Sequence, residues 1–127
     1  MAESELLKKL KYKGGRILLV HAPEGYSLGE EDAGEAAGRY PFIQVFVTSA
    51  ENVRAEIPHL LTLLDVDGVF WLTYPKQSSG IKTDINRDIL ANMIQDETEF
   101  RVVSNVSIDA TWSALRLRQK DKVKSRA

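Results

Sequence analysis

Three short, almost uninterrupted apolar runs constrain the fold of this chain more than any other feature. They read ILLV at 17–20, FIQVFV at 42–47 and VFWLTY at 69–74. Strands that are apolar at nearly every position are buried on both faces, which is typical of parallel sheets covered by helices. The sequence therefore predicts an α/β domain built on these three strands.

Helical patterns separate these runs. SELLKKL at 4–10 predicts an amino-terminal helix, and AENVRAEIPHLLTLL at 50–64 predicts a helix after Ser49, which Pro58 is expected to kink or divide. DVDG at 65–68 is expected to turn the chain into the third strand. Thr83 or Asp84 is then expected to cap another helix. Its apolar stripe comprises Ile85, Ile89, Leu90, Met93 and Ile94.

The last part of the pattern predicts a hairpin. FRVVSNVSI at 100–108 and WSALRLR at 112–118 are joined by the short turn DAT, so these two strands should be antiparallel. The crossovers that join the first four strands should be right-handed and advance in one direction across the sheet.

The composition fits one compact domain. With 127 residues, 43% of them hydrophobic, the chain has enough apolar material for a single core. We assign residues 1–119 to one α/β domain and expect residues 120–127 to form a frayed, basic tail. The glycine-rich and acidic segment at 23–41 is expected to be a long loop.

Charge and residue usage disfavour several classes of function. A formal net charge of −1 argues against nucleic acid as a partner, and no apolar run is long enough for a membrane helix. The absence of cysteine excludes disulfides and thiolate metal sites. His21 and His59 fall on different elements, so we expect no metal site. These features are typical of a cytoplasmic protein.

The order of the elements resembles the class I methyltransferase fold. A strand after YKGGR at 12–16, the strand FIQVFVTS at 42–49, a helix leading into LLTLLDVDGVFWLTY at 60–74, another helix and a final hairpin match that fold with its second and third strands deleted. The resemblance implies a truncated Rossmann-like, methyltransferase-like sheet of about five strands, mostly parallel, with the last strand antiparallel.

A second resemblance covers nearly the full length of the chain. HAPEGY at 21–26, YPKQSSGIKTDINRD at 74–88 and VSIDATWSALRLR at 106–118 are similar to three motifs of a small uncharacterised bacterial family. This resemblance implies motif positions and no activity.

The methyltransferase resemblance weakens at the cofactor site. Those enzymes carry a glycine-rich turn after the first strand and an acid at the end of the second strand, which binds the ribose of the cofactor. Here the turn reads His21, Ala22, Pro23, Glu24, Gly25, and the second strand is missing. Pro23 lacks an N–H donor and Glu24 adds bulk. S-adenosylmethionine is therefore disfavoured, and the sequence identifies no other cofactor.

Polar residues follow the parallel strands at the edge where open α/β sheets bind ligands. In KQSSGIKTD at 76–84, lysines supply charge, serines supply donors, and a glycine can adopt a positive φ. This pattern predicts a site for an anionic small molecule. The candidate residues are His21, Glu24, Tyr26, Lys76, Ser78, Ser79, Gly80, Lys82, Asp84, Arg87 and Trp112.

Several alternatives stay open for these residues. The segment 76–84 has the composition of an ordinary solvated turn, and Asp84 can cap a helix or pair with Arg87 or Asp88. His21 can act as a general base beside Glu24, or it can be a packed histidine bonded to a backbone carbonyl, which we favour. Trp112 is expected to be a core aromatic, although its indole N–H can also line the rim.

Two classes of function follow. One is a binding module, or an enzyme of unknown reaction, that holds an anionic small molecule at this rim. The other is a protein–protein interaction module or dimeric structural protein without catalysis; a degenerate methyltransferase is a third, less favoured reading. Because only SELLKKL is left to cover the second face of the sheet, we expect a homodimer or a partner protein to cover that face or the edge of the first strand.

Overall fold

The chain folds around one mixed β-sheet. The structure is a computed structural model that describes residues 8–12, 16–23 and 39–119. Helix α1 (Ala50–Thr62) joins the second strand to the third, and helix α2 (Arg87–Glu97) joins the third to the fourth. The strands are β1 (Ile17–Val20), β2 (Tyr40–Phe46), β3 (Leu64–Pro75), β4 (Phe100–Ser107) and β5 (Trp112–Gln119). Their order within the described sheet is β1-β2-β3-β5-β4.

Strand directions confirm the mixed α/β class and the final hairpin. β1, β2 and β3 pair in parallel, whereas β5 is antiparallel to both β3 and β4. The predicted strand order, in which each of the first four strands lies next to the one before it, was wrong at β4, because β5 lies between β3 and β4. β5 is buried at Ser113, Ala114, Leu115 and Leu117, as expected of an interior strand, whereas most of β4, at the edge of the described sheet, is exposed.

Both helices cover the same face of the sheet. α1 contributes Val53, Ile57 and Leu60 to a core that also receives Leu90 and Ile94 from α2. The Ser49 hydroxyl accepts the Asn52 N–H at 3.1 Å and begins α1 as predicted.

Two predictions about the helices need correction. α1 is not divided at Pro58 but continues through it, whereas the kink, the other expected effect, stays a prediction. Pro58 lies on the exposed side of the helix, where water can satisfy the carbonyl that loses its N–H partner. The cap of α2 is Asn86, whose side-chain oxygen accepts the Ile89 N–H at 2.9 Å, rather than Thr83 or Asp84. Ile89 itself is 40% exposed and does not belong to the buried stripe.

The opposite face carries a second apolar cluster, which includes Leu10, Phe42, Val69 and Trp71. The Trp71 indole N–H donates to the Leu10 carbonyl at 2.7 Å, and Trp71 is completely buried. Lys8 and Lys9 are helical and Leu10 follows in a turn, whereas residues 4–7 of the predicted amino-terminal helix lie outside the described residues. Because these strand residues are buried in the single chain, an uncovered face no longer supports the dimer, which stays a prediction.

β3 is longer than its apolar run. The predicted turn DVDG belongs to the strand, as an irregular stretch in which β3 advances from Leu64 to Val69 while β2 advances from Tyr40 to Phe42. A Cβ at Gly68 would lie 2.9 Å from the Leu64 Cδ1 and 3.1 Å from the Asp65 carbonyl oxygen, so a larger residue there would force neighbouring atoms to shift.

Other expectations fall outside the described residues. They include most of the acidic loop at 23–41 and the basic tail at 120–127. In the part of the chain that the structure describes, no helix is long and apolar enough to cross a membrane.

Candidate functional site

A cleft of about 480 Å³ opens at the carboxyl end of β3, and we call it the Tyr74 cleft. The chain segment after β3, the start of α2 and the middle of β4 form its walls. Its lining residues are Tyr74, Lys76, Gln77, Asn86, Arg87, Asp88 and Asn105.

The end of β3 places two of these residues. Tyr74 follows the alternation of the strand and points its ring to the helix-covered face, where it is 6% exposed. The Lys76 N–H donates to the Thr111 carbonyl at 2.7 Å, and the Lys76 ammonium donates to the Ser107 hydroxyl at 2.7 Å. These two bonds tie the lysine to the β4–β5 hairpin and hold its charge at the cleft.

The turn after Lys76 directs the chain away from this cleft. Residues Gln77–Ser79 form one 3₁₀ turn, which ends at Gly80 with φ 86°. The predicted left-handed glycine is confirmed, and a Cβ there would meet nothing within 4 Å. The Ser79 hydroxyl accepts the Ile81 N–H at 3.1 Å, so it supports the turn. The side chain of Ser78 lies outside what the structure describes.

The start of α2 supplies the second cation of the cleft. Arg87 is the first helical residue, and its Nε lies 3.7 Å from the Asp88 Oδ1. The two side chains are 66% and 85% exposed. The pairing of Asp84 with Arg87 or Asp88, one of two roles left open for Asp84, is not formed, because Asp84 caps a helix, although not the helix that follows it.

A second cleft of about 420 Å³ lies on the other side of the turn, and we call it the Lys82 cleft. Its lining residues are Gln77, Ile81, Lys82, Thr83, Asp84, Ile85, Asn86 and Ile89. The Asp84 carboxylate accepts the Ala50 N–H at 2.9 Å and so caps α1. The Thr83 hydroxyl donates to the Thr48 carbonyl. These contacts join the chain segments that follow β2 and β3.

The remaining predicted site residues lie elsewhere. His21, with φ 59°, directs its Nε2 to the Glu56 carboxylate at 3.2 Å and is 58% exposed, so the packed histidine that we favoured was wrong. Trp112 lies outside both clefts and packs edge-on against Phe46, with ring centroids 5.0 Å apart. Glu24 and Tyr26 lie outside the described residues.

Sequence reasoning missed most of the uncharged lining. Tyr74 and Gln77 lie in the segment 74–88 that the sequence analysis identified, but only its charged and small residues were proposed as ligand-binding residues. Asn105 had no local signal, because it reaches the cleft only through the position of β4 in the sheet. It donates from Nδ2 to the Tyr74 hydroxyl oxygen at 3.3 Å.

The carboxyl edge of β1 is where the methyltransferase resemblance would place S-adenosylmethionine. Pro23 has no N–H to offer, His21 occupies the left-handed position without being glycine, and the acid near this edge, Glu56, is engaged by His21. The residues described at this edge do not fit that cofactor. The described residues also contain no group of three or more His, Asp or Glu side chains that could hold a metal ion.

Comparison with known proteins supports the fold. No family model matches the chain, and no curated protein matches it significantly, so the resemblance to a bacterial family stays a prediction. The chain is similar to the crystal structure of a ribosomal protein L11 methylase from Lactobacillus delbrueckii subsp. bulgaricus. The TM-score is 0.58 at 14% identity, over 94% of this chain and 77% of that one. The chain therefore has a mixed α/β, methyltransferase-like fold.

Proposed function

We propose that the protein binds a small anionic molecule in the Tyr74 cleft. The observation that supports this most is the presence of Lys76 and Arg87, from separate elements, in the lining of one cleft. With Asp88, the lining carries two positive charges and one negative charge, an excess that favours an anion.

The uncharged lining adds hydrogen-bond donors. Gln77 and Asn86 offer side-chain N–H groups, and Tyr74 offers a hydroxyl. At the start of α2, the Asn86 side-chain oxygen accepts the Ile89 N–H, and the Asn86 carbonyl accepts the Leu90 N–H. The N–H groups of Arg87 and Asp88 come before these two and have no acceptor within the helix. Such groups favour negative charge, because the helix dipole is positive at that end.

The size of the cleft suits a metabolite. Ligand sites commonly enclose about 300–1,000 Å³, and the Tyr74 cleft falls within that range at about 480 Å³. The cleft opens at the carboxyl end of β3, the edge of the sheet at which open α/β folds bind ligands. Binding, without an assigned reaction, is the function that these residues support.

The test is a binding screen at constant ionic strength with inorganic phosphate, nucleoside monophosphates and di- and tricarboxylates. A ligand at 100 times its Kd should stabilise the fold by about 2.7 kcal/mol, which thermal unfolding detects. We expect Lys76→Ala and Arg87→Ala each to weaken binding about tenfold or more, since each removes a charged partner of the anion.

Lys82→Ala is the matched control. It removes an exposed lysine from the same loop, but Lys82 lines the other cleft, so binding should change less than about twofold. Equal losses in all three variants would contradict a site in the Tyr74 cleft and indicate a general effect of loop charge. Absence of binding to every anion would remove the proposal.

A second candidate function is self-association through the Lys82 cleft. Ile81 and Ile89, which are 37% and 40% exposed, line it together with Lys82 and Asp84. A two-fold interface must be self-complementary, and a surface that carries both charges beside apolar groups meets that requirement. Light scattering of the native chain and of Ile81→Glu tests it. A monomer at micromolar concentration would exclude this function.

A further inference from the structure

Tyr74 is the most deeply buried polar side chain of the Tyr74 cleft. It is 6% exposed, whereas Arg87 and Asp88 lie at the rim with most of their side chains in solvent. Lys76, held to Ser107, is half-buried. The cleft thus has a neutral phenol at its inner end and charged groups farther out.

The hydrogen bond from Asn105 fixes what the phenol can do. The Asn105 amide donates to the Tyr74 oxygen at 3.3 Å, so the oxygen serves as an acceptor in this contact. A tyrosine hydroxyl has a single proton to donate, and that proton must point away from the group that donates to it. Among the described residues, no contact in which the Tyr74 hydroxyl donates is formed, and the phenol lines the cleft.

We infer that the Tyr74 hydroxyl donates to an anionic oxygen of the ligand, so that the charged end of the ligand lies innermost. This inference rests on the proposed function of the cleft. A buried hydroxyl favours a partner that completes its hydrogen bonding, and an oxyanion is the strongest acceptor that can do so. The ammonium of Lys76 lies in the same lining and neutralises the ligand charge.

This arrangement makes Tyr74 a specificity-determining residue. A phosphate or carboxylate group accepts the phenol proton, whereas an ammonium group has only protons to offer. An ammonium would leave the phenol donor without a partner and would also meet Lys76. Tyr74 therefore selects for a ligand with an oxyanion at the inner end of the cleft and against a ligand with a cationic group there. The selection depends on a hydrogen bond at short range and not on long-range charge attraction.

The experiment uses the full chain, inorganic phosphate and citrate as probes, and calorimetric titration at constant ionic strength. Tyr74→Phe removes only the hydroxyl, and we expect about 10- to 100-fold weaker binding of the probe that binds the native chain. Tyr12→Phe is the matched control, because Tyr12 packs edge-on against Phe42 on the other face of the sheet. It should leave the affinity within about twofold.

A spectroscopic readout separates hydrogen bonding from general structural damage. Donation by a phenol to an oxyanion shifts tyrosine absorption to longer wavelength, so phosphate or citrate should produce a difference spectrum in the native chain. We expect that signal to disappear in Tyr74→Phe and to persist in Tyr12→Phe. The ligand-free Tyr74→Phe variant should melt close to the native chain, which shows that the loss is not one of folding.

The outcomes distinguish this inference from the proposed function. If Lys76→Ala and Arg87→Ala weaken binding but Tyr74→Phe does not, the cleft binds anions and the role of Tyr74 is wrong. If no anion of the screen, phosphate and citrate included, binds the native chain, both the site and the role of Tyr74 are overturned. If Tyr74→Phe loses affinity and the difference spectrum together, the inference stands.

Discussion

The two clefts beside the 76–86 loop have similar volumes, about 480 and 420 Å³, but they are built differently. The Tyr74 cleft takes its lining from β3, the following turn, α2 and β4. The Lys82 cleft takes nearly all of its lining from one continuous stretch, residues 81–86. Gln77 and Asn86 belong to both clefts and mark the boundary between them.

A fixed binding geometry is expected where the lining residues come from separate elements. Residues on separate strands and helices are held by the sheet and by the core, so their relative positions are set before a ligand arrives. Residues on one loop depend on local contacts, here those of Thr83 with Thr48 and of Asp84 with Ala50. We therefore expect the Tyr74 cleft to be the more rigid of the two.

The largest effect is expected from Leu90→Ala. Leu90 is completely buried and anchors the first turns of α2, which line both clefts. The substitution should lower the free energy of unfolding by about 2–5 kcal/mol, because it leaves a cavity in the core. Urea denaturation measures this loss, and Ile89→Ala, at the exposed neighbour, should cost less than about 1 kcal/mol. Similar losses for the two variants would show that α2 does not anchor the clefts as described.

Gly80→Ala should have the next largest effect. The position has φ 86°, where an alanine costs about 1–2 kcal/mol in backbone energy alone, since a Cβ there meets no neighbouring atom. Gly80→Asn should cost less, because asparagine tolerates this conformation better. Thermal unfolding compares the three proteins. Equal stability of Gly80→Ala and the native chain would mean that the turn between the clefts rearranges freely.

Asp84→Ala should cost about 1 kcal/mol, the usual loss for a helix cap. It removes the acceptor of the Ala50 N–H at the start of α1 and loosens the Lys82 cleft. Anion binding in the Tyr74 cleft should change less than about threefold. Asp84→Asn keeps an acceptor oxygen and serves as the control. A large loss of anion affinity in Asp84→Ala would mean that anion binding in the Tyr74 cleft depends on the structure of the Lys82 cleft.

The smallest change in stability is expected from Arg87→Ala. The Arg87–Asp88 ion pair is exposed to solvent, so its removal should change the unfolding free energy by less than about 0.5 kcal/mol. The same variant is expected to lose anion binding, which would separate a role in recognition from a role in folding. A large loss of stability of Arg87→Ala in chemical denaturation would show that Arg87 also contributes to folding.

Local chemistry made part of this structure predictable. The apolar runs predicted the three parallel strands, Ser49 predicted the start of α1, and Gly80 predicted the left-handed turn. These features could be predicted because each is determined by a residue and its near neighbours in the sequence. The position of β5 was missed, since β5 pairs with β3, a strand distant in the sequence, and no local signal specifies that pairing.

The site was predictable to a smaller extent for the same reason. Lys76 and Lys82 look equivalent in the sequence, but the turn at Gly80 sends them to different clefts. Asp84 looked like the cap of the helix that follows it and instead caps α1, 34 residues earlier in the sequence. Asn105 reaches Tyr74 only because the hairpin brings β4 alongside the end of β3.

The contacts of the amino-terminal segment have a consequence for synthesis on the ribosome. Leu10 accepts its bond from Trp71, 61 residues later, and the Lys9 ammonium donates to the Ser107 carbonyl, 98 residues later. The cluster around Trp71 also includes Ala114 and packs against Val106, so this apolar face is not complete until β4 and β5 have been synthesised, late in translation. During that interval the nascent chain is vulnerable to aggregation, and a chaperone that shields apolar surface would act on this stage.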